Sequence, residues 1–330
     1  MQRSLAHFPN CSRRHALAGL AGLAGFALPV HDALAAWRLN MVIPVKPGGG
    51  WDTTGRALGR ALQEAGADAT VSYDNKGGGA AGTIGLAQFL ARNKGDPNTL
   101  LMMGAVMLGG LILDKAPVSL RQATPIARLT SEYNVIVLPH NSPFKSLAEL
   151  LAQMRRDPAS VRWGGGSRGS TEHIAVAMLA RALGVDPGRT NYVAFRGGGE
   201  ATTAILEGHV AVGGSGLSEL AEHIQSGRVK ALAVTSPERL SGVDIPTLRE
   251  QGLDVVIGNW RGVYGAPGIS TTDARRLVAL VQRATQTKAW AQALTRYSWA
   301  PALLTGAEFG KFVDDEFTQL RALLGSLGMA

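Results

Sequence analysis

Leu39-Asn40-Met41-Val42-Ile43-Pro44-Val45-Lys46-Pro47-Gly48-Gly49-Gly50-Trp51-Asp52-Thr53-Thr54-Gly55-Arg56 decides how the rest of this chain is read. An apolar run leads into a glycine-rich turn, and Ala57-Leu58-Gly59-Arg60-Ala61-Leu62 then continues at helical spacing. The order is strand, loop and helix N-terminus. Bare N–H groups at a helix start, at the positive end of its dipole, make a site for an anion. The stretch is expected to hold a carboxylate and to do no chemistry.

Upstream, Arg3, Arg13 and Arg14 precede an apolar segment at 16–28, and Ala33-Leu34-Ala35 offers a cleavage site. This is the layout of an export signal occupying 1–35. Its apolar part is too short to span a membrane, which takes ~20 residues. Ser12-Arg13-Arg14 followed by Leu17 fits twin-arginine export, with an ordinary secretory signal as the alternative. A periplasmic location is expected, with cleavage near Ala35. Cleavage removes Cys11, the single cysteine, and with it any disulfide, thiol nucleophile or cysteine metal site. Taking three arginines and one aspartate from 33 basic and 25 acidic residues leaves a net charge of +6. The basic residues are scattered, with no run or aromatic interleaving that would suit nucleic acid. A mild positive field suits a small anionic ligand.

Downstream, apolar strands alternate with helical patterns. Strands are expected at 39–45, 69–73, 99–103, 161–163, 191–195, 210–212 and 231–235. Helices are expected at 53–65, 81–92, 171–183, 200–206 and 218–225, and three more at 272–285, 288–295 and 306–324 close the chain. The apolar segments 126–129 and 135–138 flank polar Ser131-Glu132-Tyr133-Asn134, a pattern for a segment crossing between domains, and 255–260 reads as the return. Residues 36–134 with 256–330 then form one lobe and 135–255 the other. The fold class is α/β, each lobe a mostly parallel sheet flanked by helices. Glycine turns at 164–166, 197–199 and 213–214 follow strands, where ligands of open α/β sheets bind.

Three motifs compete with a binding role. Gly77-Gly78-Gly79-Ala80-Ala81-Gly82 matches a dinucleotide fingerprint and would serve an oxidoreductase, but it follows the second strand rather than the first. Gly165-Gly166-Ser167-Arg168-Gly169 matches a nucleophile elbow, with Asp186 and His209 or His223 in the order a serine hydrolase needs. Asp186, however, opens an Asp-Pro-Gly turn. Gly50 to Ala57 echoes a phosphate loop, but Arg56-Ala57 stands where Lys-Ser/Thr is needed. The seven histidines form no paired ligand motif, so no metal and no cofactor is expected. His173 is the histidine nearest a proposed ligand loop.

Taken together the residues resemble the periplasmic substrate-binding receptors of tripartite tricarboxylate transporters, the Bug-type receptors, especially those for citrate-like acids. The resemblance rests on Lys46 to Asp52, Gly78-Gly79 with Gly82-Thr83-Ile84, Gly166 to His173, Tyr192 to Glu200, Gly213 to Glu219, Ala231 to Ser236 and Trp260 to Gly268. They run in order over nearly all of the chain after the signal. It implies a type II periplasmic-binding-protein fold, a Venus flytrap whose lobes close on an organic acid and deliver it to a membrane permease. It implies a binding protein rather than an enzyme, acting as a monomer. The ligand is expected to be a citrate-like tricarboxylate. Pro47, Gly48, Gly49, Gly50, Trp51 and Asp52 would form one jaw on its carboxylate. Gly166, Ser167, Arg168, Gly169, Ser170 and Thr171 would form the other, with Gly78, Gly79, Gly198 and Ser215 completing the cleft. Gly77 stands where a proline is usual in the second loop. Arg168 stands where a small residue is usual; facing inward it would pair with a second carboxylate, and facing outward it is a surface arginine.

Overall fold

The computed structural model describes residues 38–66, 70–77 and 80–330. The expected export signal, and Gly78 and Gly79 of the second loop, lie outside these residues.

The opening stretch folds as read. β1 (Arg38–Ile43) leads through the glycine loop into α1 (Gly50–Glu64), which buries Trp51, Leu58, Ala61 and Leu62 along one side. That three-and-four spacing is what an amphipathic helix presents to a core. The helix begins three residues before the expected start, so Gly50 and Trp51 already belong to its first turn. β2 (Thr70–Asn75), α2 (Thr83–Arg92), β3 (Thr99–Gly104) and α3 (Ala105–Leu113) follow. β3 is buried along its whole length, as a strand covered on both faces must be.

β4 (Thr124–Pro139) runs for 16 residues. The polar quartet 131–134 does not interrupt it. Thr130, Glu132 and Asn134 alternate onto one buried face while the strand continues beneath them. Next come α4 (Leu147–Arg156), β5 (Arg162–Gly165), α5 (Thr171–Ala182), β6 (Asn191–Ala194) and α6 (Gly198–Leu206). β7 (Val212–Gly216), α7 (Leu217–Gln225), β8 (Val229–Val234) and β9 (Gly258–Gly265) complete the middle of the chain. Gly213 and Gly214 thus lie in a strand rather than in a turn. A Cβ on Gly213 would run into Ile205 of α6, which lies flat on the strand. The chain ends with α8 (Thr271–Ala284), α9 (Lys288–Arg296), β10 (Ala300–Thr305) and α10 (Gly306–Ser326).

The strands follow the order β2-β1-β3-β9-β4-β7-β5-β6, and β8 and β10 also pair with β4. The pairs β1–β2, β1–β3, β5–β6 and β5–β7 are parallel. Every antiparallel pair involves β4 or β9, the two crossing segments. The first part of β4, Thr124 to Tyr133, pairs with β9, and Asn134 to Val137 pairs with β7. One strand is therefore shared by two sheets. Thr235, fully buried, ties the crossings together. Its Oγ1 donates to the carbonyl of Ile257 at 2.8 Å and accepts from the Asn134 amide at 3.0 Å.

Each sheet has its own apolar filling. A large core gathers Leu39, Met41, Leu58, Leu101, Trp260, Trp290 and Phe309 around β1, β3 and β9. Past Asn134, alternation along β4 sends Ile136 and Leu138 into one cluster with Trp163 and Leu179, and Val135 and Val137 into another with Ile205 and Leu220. β10 was not expected because Pro301 interrupts its short run Ala300-Pro301-Ala302-Leu303-Leu304, and a proline within a run argues against a strand. Its Pro301 sits on an edge strand beside a bulge, where a missing N–H costs little.

Candidate functional site: a glycine-lined cleft

Four helix starts converge on one cavity of about 860 Å³: Gly49 and Gly50 of α1, Ser170 of α5, Gly197 and Gly198 of α6, and Gly216 and Ser218 of α7. The first four N–H groups of a helix have no partner within it, so their ends supply both donors and a positive field. At α1, α6 and α7 the N-cap is Gly49, Gly197 or Gly216, and no side chain caps the helix. At α5 the Ser170 hydroxyl accepts from the His173 amide.

Of the residues expected in the site, Pro47, Gly48, Gly49, Gly50, Trp51, Gly166, Ser167, Ser170 and Gly198 border the cavity. Asp52 does not. Its carboxylate folds back on its own loop, accepting from the Gly48 amide at 3.0 Å, from Arg56 at 3.0 Å and from Asn75 at 2.9 Å. Burial alone would raise this carboxyl, but the bonds from Arg56, Asn75 and Gly48 outweigh it and hold it below its ordinary value. Asp52 shapes the loop and leaves the ligand space to the glycines. Arg168 is exposed and stands outside the cavity wall. Gly169 packs on α3, where a Cβ on Gly109 would collide with the Gly169 carbonyl. Thr171 is buried outside the wall, and Ser215 gives its hydroxyl to Glu219.

The loop facing Gly48 and Gly49 is the one at 197–199. A Cβ on Gly49 would lie 3.7 Å from the Gly199 amide nitrogen, and one on Gly199 would lie 3.5 Å from the Gly48 carbonyl carbon. Lys46 Nζ meets Glu200 Oε1 at 2.7 Å beside this contact. The Gly166–Ser170 loop reaches the cavity from another side, supported by Tyr192, whose hydroxyl donates to the Gly166 carbonyl at 2.9 Å. His173 stacks on Tyr192 with centroids 4.4 Å apart, and its Nδ1 accepts from the Gly169 amide. Burial, with Arg168 nearby, pushes its pKa down to about 4, so the ring is neutral and braces the loop.

The polar floor of the cleft was not assigned from the sequence. Arg261 of β9 forms an ion pair with Glu132 of β4, both almost fully buried. Glu132 also accepts from Ser218 at 2.8 Å and from the Trp299 indole at 3.1 Å. Arg261 lies directly under the first turn of α1, where a Cβ on Gly50 would strike its guanidinium. Glycine at 50 is thus required by close approach. Glu219 of α7 accepts from Ser215 and from the Gly50 amide. Burial raises its pKa, against the pull of Arg261. Burial likewise raises Glu172 to about 7, and Glu219 and Glu132 add like charge. The signal for this floor was a period of two, Glu132 with Asn134 on β4 and Asn259 with Arg261 on β9, visible only once both segments are known to be strands.

Among the described residues the serine motif does not assemble. Ser167 Oγ is buried with no hydrogen-bond partner, whereas a nucleophile needs a base in reach. Asp186 accepts from the Gly188 amide in its own turn. At the 77–82 loop, Gly82 caps α2 in a left-handed conformation. Among the described residues no group of three or more His, Cys, Asp or Glu is placed to hold a metal. No described helix is long and apolar enough to cross a membrane.

Comparison with known proteins shows the family and the fold. The family described as tripartite tricarboxylate transporter family receptor matches residues 56–329. Protein BugT of Bordetella pertussis is 28% identical over 330 residues, covering 97% of this chain and 98% of that protein. The structure of the periplasmic binding protein BugD is 25% identical, with a TM-score of 0.76 over 88% of this chain and 98% of that one. MatC from Rhodopseudomonas palustris, solved with bound malate, shares the fold at 24% identity, with a TM-score of 0.75 over 87% of this chain and 99% of that one. The chain belongs to the solute-binding receptors of the tripartite tricarboxylate transporter family.

Proposed function

We propose that this receptor binds a small organic acid in the periplasm and presents it to a tripartite tricarboxylate transporter permease. Residues 36–134 with 256–330 and residues 135–255 act as two lobes that close on the acid, and the 1–35 signal is removed near Ala35 after export. The protein acts as a monomer without catalysis. The observation that carries this reading is the set of helix starts at Gly49, Gly197 and Gly216, none capped by a side chain, meeting on one cavity. A ligand carboxylate completes what those helices lack, and closure around it excludes water. The finer reading is a citrate-like tricarboxylate, whose several carboxylates would be shared among the converging helix starts.

Thermal melting of the purified receptor against mono-, di- and tricarboxylates tests this. A ligand at 100 times its dissociation constant adds ~2.7 kcal/mol. At ~2–4 °C per kcal/mol for a domain of 150–250 residues, the shift is several degrees. A melting point that no carboxylate moves would reject the proposal.

A further inference from the structure

Glu219 is the third residue of α7, the position from which a glutamate often reaches back to the amide of its own N-cap. Here the half-buried carboxylate reaches across the cleft. It accepts from the Gly50 amide in the first turn of α1, with the Ser215 hydroxyl as a second donor. As the first residue of α1, Gly50 has no acceptor for this amide within its own helix. A Cβ on Gly198 would overlap the Glu219 carboxylate, and one on Gly49 would lie 3.9 Å from its Oε1. The group therefore sits where the starts of α1 and α6 meet, and Arg261 attracts it from the floor.

The bond joins α1, in residues 36–134, to α7, in residues 135–255. Lys46 and Glu200 join the same two parts at 2.7 Å, but their side chains are 60% and 35% exposed, where an ion pair has little strength. Glu219 lies further in, where a hydrogen bond to a charged acceptor is stronger. It is also a carboxylate on a bare helix start, the arrangement proposed for the ligand. We propose that Glu219 is an internal latch. It holds the two lobes together with the receptor's own carboxylate, and it releases the Gly50 amide before a ligand carboxylate takes that donor. This rests on the two-lobe reading of the proposed function and adds to it a competitor built into the fold. Binding then exchanges one carboxylate for another, and affinity is reduced by the fraction of receptor that is latched.

Two measurements on the purified receptor, in a buffer without carboxylates, test the latch whichever acid binds. In amide hydrogen exchange the wild-type Gly50 amide should be protected, and Glu219→Ala should speed its exchange roughly tenfold. In small-angle X-ray scattering Glu219→Ala should have a larger radius of gyration than the wild type. Glu222→Gln, which removes the same charge three residues along α7, should not. Glu219→Gln, of nearly the same volume, replaces the alanine variant where that one folds poorly. A wild-type Gly50 amide that exchanges as fast as an exposed one overturns the proposal. So does a folded Glu219 variant with wild-type exchange and scattering, or equal expansion in Glu222→Gln. If a carboxylate raises the melting point but the latch is missing, only this inference falls. If the latch is present and no carboxylate moves the melting point, the proposed function falls and the contact remains.

Discussion

The helices of this protein start in two different ways. On α4, α8 and α9, away from the cleft, Ser146, Ser270 and Thr287 cap their own helices, accepting from Glu149, Asp273 and Trp290 amides at 3.1–3.2 Å. On α1, α6 and α7, at the cleft, glycine holds the same position and no side chain caps the helix. The physical problem is identical: a turn of N–H groups without partners. On α4, α8 and α9, as on α5 at the cleft, the chain solves it with a hydroxyl worth about 1 kcal/mol. On α1, α6 and α7 it forgoes that stabilisation, as it also does on α2, α3 and α10, and the cap leaves the first-turn donors untaken. At Gly50 even this restraint is incomplete, because Glu219 takes the amide.

The largest expected break in this contrast lies below the bare helix starts. Arg261→Met should lower stability by about 3–5 kcal/mol, since it strands Glu132 as a buried charge. Adding Glu132→Gln should return part of the loss, read as denaturation midpoints.

Glu172 gives the next effect, and its direction depends on pH. Burial raises its pKa from 4.5 to about 7, with Glu219, Glu132, Ser170 and Tyr192 as the groups that act on it or are acted on by it. The folded protein then holds this proton more tightly than the unfolded chain does. The contribution is complete below pH 4.5 and is lost as pH rises through 7. Glu172→Gln removes the penalty of ionisation, on the order of 3 kcal/mol at its fullest. The variant should match the wild type in melting temperature at pH 4 and exceed it by several degrees at pH 8. Equal curves at both values would mean that Glu172 ionises as freely as an exposed carboxylate.

The smallest pair of effects addresses the caps directly. Gly49 has φ −88°, and a Cβ there meets nothing nearer than 3.7 Å, so Gly49→Ser can give α1 its own cap. Ligand affinity should fall roughly tenfold, about 1.4 kcal/mol. Ser270→Ala should cost about 1 kcal/mol of stability and leave affinity unchanged. If Gly49→Ser binds ligand as the wild type does, the bare start of α1 is not holding it.

The alternation of strands and helices was legible because local patterns carry it: the apolar run 39–45, the helical spacing after Arg56 and the turn glycines. The loop at 47–51 was readable for the same reason, since its donors belong to one continuous segment. The partner of that loop was not. Gly48 and Gly199 meet across 150 residues of intervening chain, and the choice between 166–171 and 197–199 depends on how the sheets are set, which no local pattern encodes. Arg261 and Glu132 were hidden in the same way. Glu132 read only as part of the polar stretch of a strand or crossing segment, with no place in the site, because its partner Arg261 lies on the other crossing. Asp52 misled in the opposite direction: its carboxylate sits at the expected site but is held by Gly48, Arg56 and Asn75.

β4 lies in both sheets, pairing with β9 before Asn134 and with β7 and β8 after it. This has a consequence for how such chains diversify. A recombination event that exchanged one sheet region for a relative's would have to splice within β4 and match its bulged register to β9 on one side and β8 on the other. It would also have to preserve the buried Glu132–Arg261 pair, whose members come from different crossings. A substitution at the bulges of β4 or at this pair therefore reaches both sheets at once, whereas one on a single glycine loop stays local to one stretch of the cavity wall.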